Sequence, residues 1–239
     1  MYVMGDIHGQ YDKMRSALRV AELIDAGDSW TGGAATLWFM GDYFDRGPDG
    51  IAAIDLIRSL QHQAASAGGR VGALLGNHDV LIMAARRFGV RPSGGPGGTF
   101  LSSWQLNGGV ESDLNRLTEG RVAWLCSLPA LQVDGGRLLA HADATFYQVY
   151  GRSVFGVNRH ISAILHSGDA AAWDQLLDYF SQRRAFQDRD LGPARVGRVL
   201  NLYGGRQLVH GHTPIAKLSG CRPEDITCPL LYAGGLAVD

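Results

Sequence analysis

Gly41-Asp42-Tyr43-Phe44-Asp45-Arg46-Gly47 packs two carboxylates and a guanidinium into one short stretch between two contrasting neighbours. Before it, Ala35–Met40 is an apolar run of strand length bounded by small residues, and reads as a buried strand. After it, Pro48–Gln63 opens on proline and carries Ile51, Ile54, Leu56 and Ile57, the marks of a helix. A strand-to-helix turn is where an open α/β sheet places its chemistry. Taken alone, the stretch also suits a salt-bridged surface loop. What stands at the equivalent turns decides between the two.

Upstream, Tyr2–Met4 reads as a strand and Tyr11–Ile24 as a helix with Met14, Leu18, Ala21 and Leu23 on its apolar side. Between them lies Gly5-Asp6-Ile7-His8-Gly9. Asp6 and His8, two apart in an extended segment, point the same way, which suits two ligands of one metal as well as a solvated carboxylate beside a capping histidine. Downstream, Val71–Leu75 is a third strand ending in Gly76-Asn77-His78-Asp79, with a helix over Val80–Phe88. Strand, polar turn and helix thus recur, which predicts a parallel sheet with right-handed crossovers and helices on its faces. All the polar turns then leave one edge of the sheet, and Asp6, His8, Asp42 and Asn77 converge there.

Arg91–Thr99 holds Pro92, Pro96 and four glycines, so 89–99 reads as a mobile inserted loop or lid. Leu101–Leu106 and Leu114–Leu128 are expected to be helices, the second stopped by Pro129, with Trp104 and Trp124 as packing residues. Leu131–Val133 and Leu138–Ala140 flank Asp134-Gly135-Gly136, a hairpin signal, and the second strand runs into His141-Ala142-Asp143. Val149–Phe186 reads as two helices parted at Gly168-Asp169, within a helical insertion at about 146–200. Its Arg152, Arg159, Arg183 and Arg184 suit the surface, and one of them could face an anionic substrate. Gln207–Val209 leads to His210-Gly211-His212-Thr213-Pro214, and Leu230–Ala233 is the last strand expected.

Composition narrows the function. A hydrophobic share of 46% supports a substantial core, and a formal charge of -1 argues against nucleic acid or an anionic membrane as partner. No apolar run reaches spanning length, and Met1-Tyr2-Val3-Met4 lacks the features of a signal peptide. Cys126, Cys221 and Cys228 form an odd set without a CxxC pair, so no disulfide framework is expected and the cytoplasm is the default compartment.

The strand-end turns together offer Asp6, His8, Asp42, Asn77, His141 and His212: oxygen and imidazole donors without thiolate. Such a set suits two divalent ions, Mn²⁺ first and Fe or Zn²⁺ otherwise, rather than a structural zinc. A central carboxylate such as Asp42 can bridge two ions, and Arg46 can grip phosphoryl oxygens with its planar fork.

In this order, Gly5-Asp6-Ile7-His8-Gly9, Gly41 to Gly47, Gly76-Asn77-His78-Asp79, His141 and Gly211-His212-Thr213-Pro214 resemble the calcineurin-like metallophosphoesterase superfamily. The GDxxDRG form is similar to its phosphoprotein phosphatase branch, which includes bacterial Ser/Thr phosphatases and symmetrical diadenosine tetraphosphatases. The resemblance implies an α/β fold, a four-layer β-sandwich flanked by helices, in one domain over 1–239. It further implies that Asp6, His8 and Asp42 hold one metal, and that Asp42, Asn77, His141 and His212 hold the second. Asp45 would orient His78, which protonates the leaving alkoxide, while Arg46, Asn77 and His78 bind the phosphate. His210 would be a neighbour rather than a ligand, and Arg184 is the candidate for a second phosphate-binding arginine. The chemistry implied is hydrolysis of a phosphorylated protein or small molecule by direct attack of a metal-bridging hydroxide. Hydrolysis of dinucleoside polyphosphates, or silent binding of a phosphorylated partner, are the alternatives. The sequence departs from the family at His141-Ala142-Asp143, where HGG or HAG is usual, and at Asp79, where eukaryotic phosphatases have glutamate.

Overall fold

Three short parallel strands, β1 (Tyr2–Met4), β2 (Thr36–Phe39) and β3 (Arg70–Ala73), pair in the order β1-β2-β3 in the computed structural model, which describes residues 1–239. Each hands on to a helix: α1 (Tyr11–Val20), α2 (Gly50–Ser66) and α3 (Asn77–Phe88). The apolar faces that made these segments legible are the ones that are buried, with Met14 and Leu18 on α1 and Ile51, Ile54, Leu56 and Ile57 on α2. Asp49 caps α2, its carboxylate accepting from the Ala52 N–H at 2.8 Å.

The chain folds as two compact units, Met1–Leu128 and Pro129–Asp239. In the first, α1 stops earlier than its apolar spacing predicts. Glu22 turns left-handed at φ 57°, and the Leu23 N–H closes back on the Leu18 carbonyl, so Leu23 and Ile24 are buried from a turn. The helix expected from Val80 begins at Asn77, so the polar residues of the third turn are already helical. Loop 89–99 is closed on itself by a bridge between Pro92 and Thr99, and leads into α4 (Phe100–Leu106). The single helix expected over Leu114–Leu128 is two, α5 (Glu111–Arg116) and α6 (Glu119–Ser127). Leu117 leaves the helical region to bury its side chain, and Thr118, in extended conformation, starts the next helix.

The second unit is built on a mixed sheet in the order β4 (Leu131–Asp134), β5 (Arg137–Ala140), β6 (Gln207–Val209), β8 (Ala237–Val238), β7 (Leu231–Tyr232). β4 (Leu131–Asp134) and β5 (Arg137–Ala140) form the expected hairpin, with Gly135 at φ 53° and Gly136 at φ 75°, the left-handed pair that a tight two-residue turn requires. Next come α7 (Tyr147–Tyr150), α8 (Val154–His166), α9 (Ala170–Phe180) and α10 (Gly192–Tyr203). Asp169 caps α9 at the expected break, and Trp173 and Phe180 are buried on its inner face. β6 (Gln207–Val209) pairs in parallel with β5, and α11 (Ile215–Ser219) follows. The strand expected over Leu230–Ala233 is shorter, β7 (Leu231–Tyr232), and is not the last. β8 (Ala237–Val238) turns back after Gly234-Gly235 and inserts beside β6. No helix is long and apolar enough to cross a membrane.

One buried carboxylate ties α5 to the start of α2. Asp113 accepts from the Gly50 N–H at 2.8 Å and the Ile51 N–H at 3.3 Å, and burial holds its carboxyl above the ordinary value. A buried donor left without its acceptor costs about 1–3 kcal/mol. Asp113→Ala should therefore lose about 2 kcal/mol, read as a lower urea midpoint with an unchanged slope.

Candidate active site

Backbone hydrogen bonds zip the first two turns together. The Asp42 carbonyl accepts from the Ile7 and His8 N–H groups at 3.1 and 2.8 Å, and the Tyr43 carbonyl accepts from the Gly9 N–H at 2.8 Å. Gly9 and Gly47 lie so close that a Cβ on Gly47 would stand 2.2 Å from the His8 carbonyl oxygen. The third turn is joined through Asp79. Its Oδ2 accepts from the Asp42 N–H at 3.0 Å and the Gly76 N–H at 2.8 Å, and its Oδ1 accepts from the Tyr43 N–H at 2.9 Å. The return bond runs from the His78 N–H to Asp42 Oδ1 at 2.8 Å. Each of the first two turns thereby holds residues in left-handed backbone: His8 at φ 44°, Asp42 at 54°, Asp45 at 71° and Arg46 at 68°. Such conformations cost energy outside glycine and persist where the surroundings over-determine them, commonly at functional sites.

The side chains follow from that backbone. Arg46, exposed, donates from one guanidinium nitrogen to His8 Nε2 at 2.7 Å and from another to His78 Nε2 at 2.9 Å. A guanidinium can only donate, so both Nε2 atoms accept and both rings carry their proton on Nδ1. Those protons have partners: the Phe44 carbonyl 2.9 Å from His8 Nδ1, and Asp45 Oδ2 2.6 Å from His78 Nδ1. The rings of His8 and His78 meet edge to face with centroids 4.7 Å apart. Burial pulls the His8 imidazole below its ordinary pKa, the charge of Asp42 opposes this, and neighbouring His78 reinforces it. His8 Nε2 lies 3.7 Å from Asp42 Oδ2 and 3.9 Å from Asp6 Oδ2. Ligand atoms of His8, Asp42 and His78 all fall within 4.8 Å of one another.

In the second unit, His141 follows β5 and His212 follows the neighbouring β6, so parallel pairing brings the two strand ends together. His141 Nε2 and His212 Nδ1 are 3.1 Å apart, both rings are buried, and the Gly211 N–H donates to the His141 carbonyl at 2.9 Å. His210 is engaged elsewhere, with Tyr232 Oη 2.7 Å from its Nε2. Buried Asp143 accepts from Thr213 Oγ1 at 2.6 Å and from the Arg184 N–H at 2.8 Å, tying the turn after His212 to the segment after α9. Arg184 is exposed and left-handed at φ 63°.

Sequence reasoning named Asp79 without a role, read Trp104 as packing, and gave Asp143 none. Asp79 stands three residues after Gly76 at the start of α3, the position from which a carboxylate reaches back to the N-cap N–H, and that spacing is the available signal. Trp104 Nε1–H donates to Asp45 Oδ1 at 2.7 Å, a contact across a sequence separation of 59 that no local pattern reveals. Asp79→Ala would strand three backbone N–H donors between the second and third turns. It should lower stability by about 3 kcal/mol or more in chemical denaturation, and weaken divalent-metal binding by calorimetry together with it.

The donors present fit divalent ions. They are imidazole nitrogens, carboxylate oxygens and the Asn77 amide, and the tautomer of His8 puts its one lone pair on Nε2, where Arg46 now donates and where an ion could bind once that guanidinium turns away.

Comparison with known proteins bears on the whole chain. The calcineurin-like phosphoesterase family profile matches residues 1–238. Shewanella-like protein phosphatase 2 of Arabidopsis thaliana is 36% identical over 81 residues, covering 34% of this chain and 21% of that protein. A symmetrical bis(5'-nucleosyl)-tetraphosphatase of Baumannia cicadellinicola is 33% identical over 153 residues, 60% of this chain and 42% of that protein. The matches thus span less than half the length of these curated relatives. Among solved structures, a cold-active protein tyrosine phosphatase superposes with a TM-score of 0.72 at 21% identity, covering 99% of this chain and 67% of its own, and shares the fold. The motif order, the two sheets flanked by helices and the profile match agree: the chain belongs to the calcineurin-like phosphoesterase family.

Proposed function

We propose that the chain is a metal-dependent phosphoesterase that hydrolyses phosphomonoesters, of protein or of small molecules. The observation that carries the reading is the unbroken hydrogen-bonded line Asp45–His78–Arg46–His8 beside Asp42, from a buried carboxylate through an exposed guanidinium to a second imidazole. On the family's motif order, Asp6, His8 and Asp42 would hold one ion, and Asp42, Asn77, His141 and His212 the other. Mn²⁺ is the ion we favour. Divalent ions, when bound, activate water and neutralise charge on phosphoryl oxygens.

The residues of the chain supply the remainder. Arg46 turns its fork from the two imidazoles onto the phosphoryl oxygens, where a planar pair of N–H donors matches two oxygens at once. That movement frees His78 Nε2 to carry a proton. Asp45, on the opposite ring nitrogen, stabilises the resulting imidazolium and sets the plane of the ring. As the oxygen of an attacking water bonds to phosphorus and yields its proton to solvent, the ester P–O bond breaks; its electron pair stays on the leaving oxygen, which takes the His78 Nε2 proton. Asn77, in the first turn of α3, contributes its side-chain amide to the phosphate, and Arg184 is the candidate for a second cationic contact.

The tetraphosphatase relatives favour one further reading, hydrolysis of a dinucleoside polyphosphate at the same site. Phosphate release with Mn²⁺ from p-nitrophenyl phosphate, a phosphopeptide and diadenosine tetraphosphate, with and without chelator, separates the two. Chelator-sensitive turnover is expected, and the preferred substrate chooses between the readings. Metal binding without turnover of any of the three would point instead to a silent phospho-ligand module. Asp42→Ala should lose metal and activity together, whereas His78→Ala should retain metal and lose a factor of roughly 10²–10⁴ in rate. An Asp42→Ala protein active in metal-free buffer would falsify the proposal.

A further inference from the structure

Trp104 is fully buried near the end of α4, and its indole N–H ends on a carboxylate of the proposed site rather than on backbone. An indole nitrogen only donates, so the direction of the bond is settled. Asp45 then has one partner per oxygen: Trp104 on Oδ1 at 2.7 Å and His78 on Oδ2 at 2.6 Å. A carboxylate held at one oxygen can swing about its terminal torsion, which is broad and roughly two-fold; held at both, it cannot.

The turn that follows Trp104 grips the next residue as well. The Gly108 carbonyl accepts from the Arg46 N–H at 2.8 Å, holding Arg46 in its left-handed conformation at φ 68°. Gly109 lies so close to the indole that a Cβ there would stand 2.4 Å from Cε2, and its N–H returns to the Trp104 carbonyl at 3.1 Å. The segment Trp104–Gly109 therefore fixes the side chain of Asp45 and the backbone of Arg46 together.

We propose that Trp104 is a positioning residue for leaving-group protonation: its N–H anchors Asp45 so that the carboxylate holds the His78 ring with Nε2 toward the ester oxygen. This rests on the phosphoesterase reading, in which His78 gives up that proton.

The test is Trp104→Phe, which keeps a ring and removes the donor, measured as the full chain with Mn²⁺. An alkyl phosphate such as a phosphoserine peptide needs its leaving oxygen protonated, whereas p-nitrophenyl phosphate does not. A positioning role therefore predicts a fall in kcat of at least about ten-fold for the alkyl ester and under about three-fold for the aryl ester, with KM and Mn²⁺ stoichiometry unchanged. In an Asp45→Ala background the same change should have no further effect on kcat. Equal losses on both esters, no loss on either, or an additive effect in that background overturns the proposal. Should the phenylalanine variant fail to fold, the benzothienylalanine isostere at 104 keeps the shape, lacks the N–H and carries the same expectations. A second readout does not need turnover. The downfield Nδ1–H resonance of His78 in nitrogen-edited spectra should exchange faster with water in the variant than in the wild type. If the wild type hydrolyses neither ester, the phosphoesterase reading fails, and an unchanged His78 resonance separately overturns the positioning role.

Discussion

The carboxylate of Asp79 is the constraint on which the first unit's chemistry depends. Two strand-end turns leave the sheet with their N–H groups unpaired, as any turn into a helix does. Asp79 collects three of those donors, two from the Asp42 turn and one from Gly76, and Asp42 returns a bond to the His78 N–H. Pairing is therefore reciprocal, and neither turn can shift without stranding buried polar groups of the other. Gly76 makes the approach possible, since a Cβ there would stand 2.2 Å from the Asp42 nitrogen.

With the turns locked, the strained conformations of His8, Asp42, Asp45 and Arg46 become affordable, and the side chains project from a fixed frame. Tyr43, between two of them, points inward to the Leu74 carbonyl at 2.6 Å, and burial holds its phenol far above the ordinary value, so it stays a neutral donor. The residues of one heptapeptide thus divide between the core and the site. Phe44 and Tyr43 pack, while Asp42, Asp45 and Arg46 carry charge.

Arg46 sets the electrostatics of the surface that results. Its fork spans His8 and His78, which obliges both rings to be neutral at Nε2 and directs their Nδ1 protons to the Phe44 carbonyl and to Asp45. The ordering continues inward from Asp45 to the Trp104 indole. In the second unit, Asp143 does a comparable task for different elements by joining Thr213 to the Arg184 backbone. In both units a buried carboxylate orders a turn beside the histidines.

The repeated strand, turn and helix is legible in the order of amino acids alone, because a two-residue or 3.6-residue period of apolar side chains survives in any context that buries one face. The family is legible there too, since the spacing of Asp6, His8, Asp42, Asn77, His78, His141 and His212 is written along the chain. Tertiary structure decided where elements end. α1 stops at Val20 because Glu22 turns, the Leu114–Leu128 run breaks because Leu117 seeks the interior, and β8 inserts beside β6 although only two residues long. It alone also decided the partners of Asp79, Trp104 and Asp143. Their hydrogen bonds close over separations of 36, 59 and 70 residues, and a contact made by packing rather than by local geometry leaves no period in the sequence.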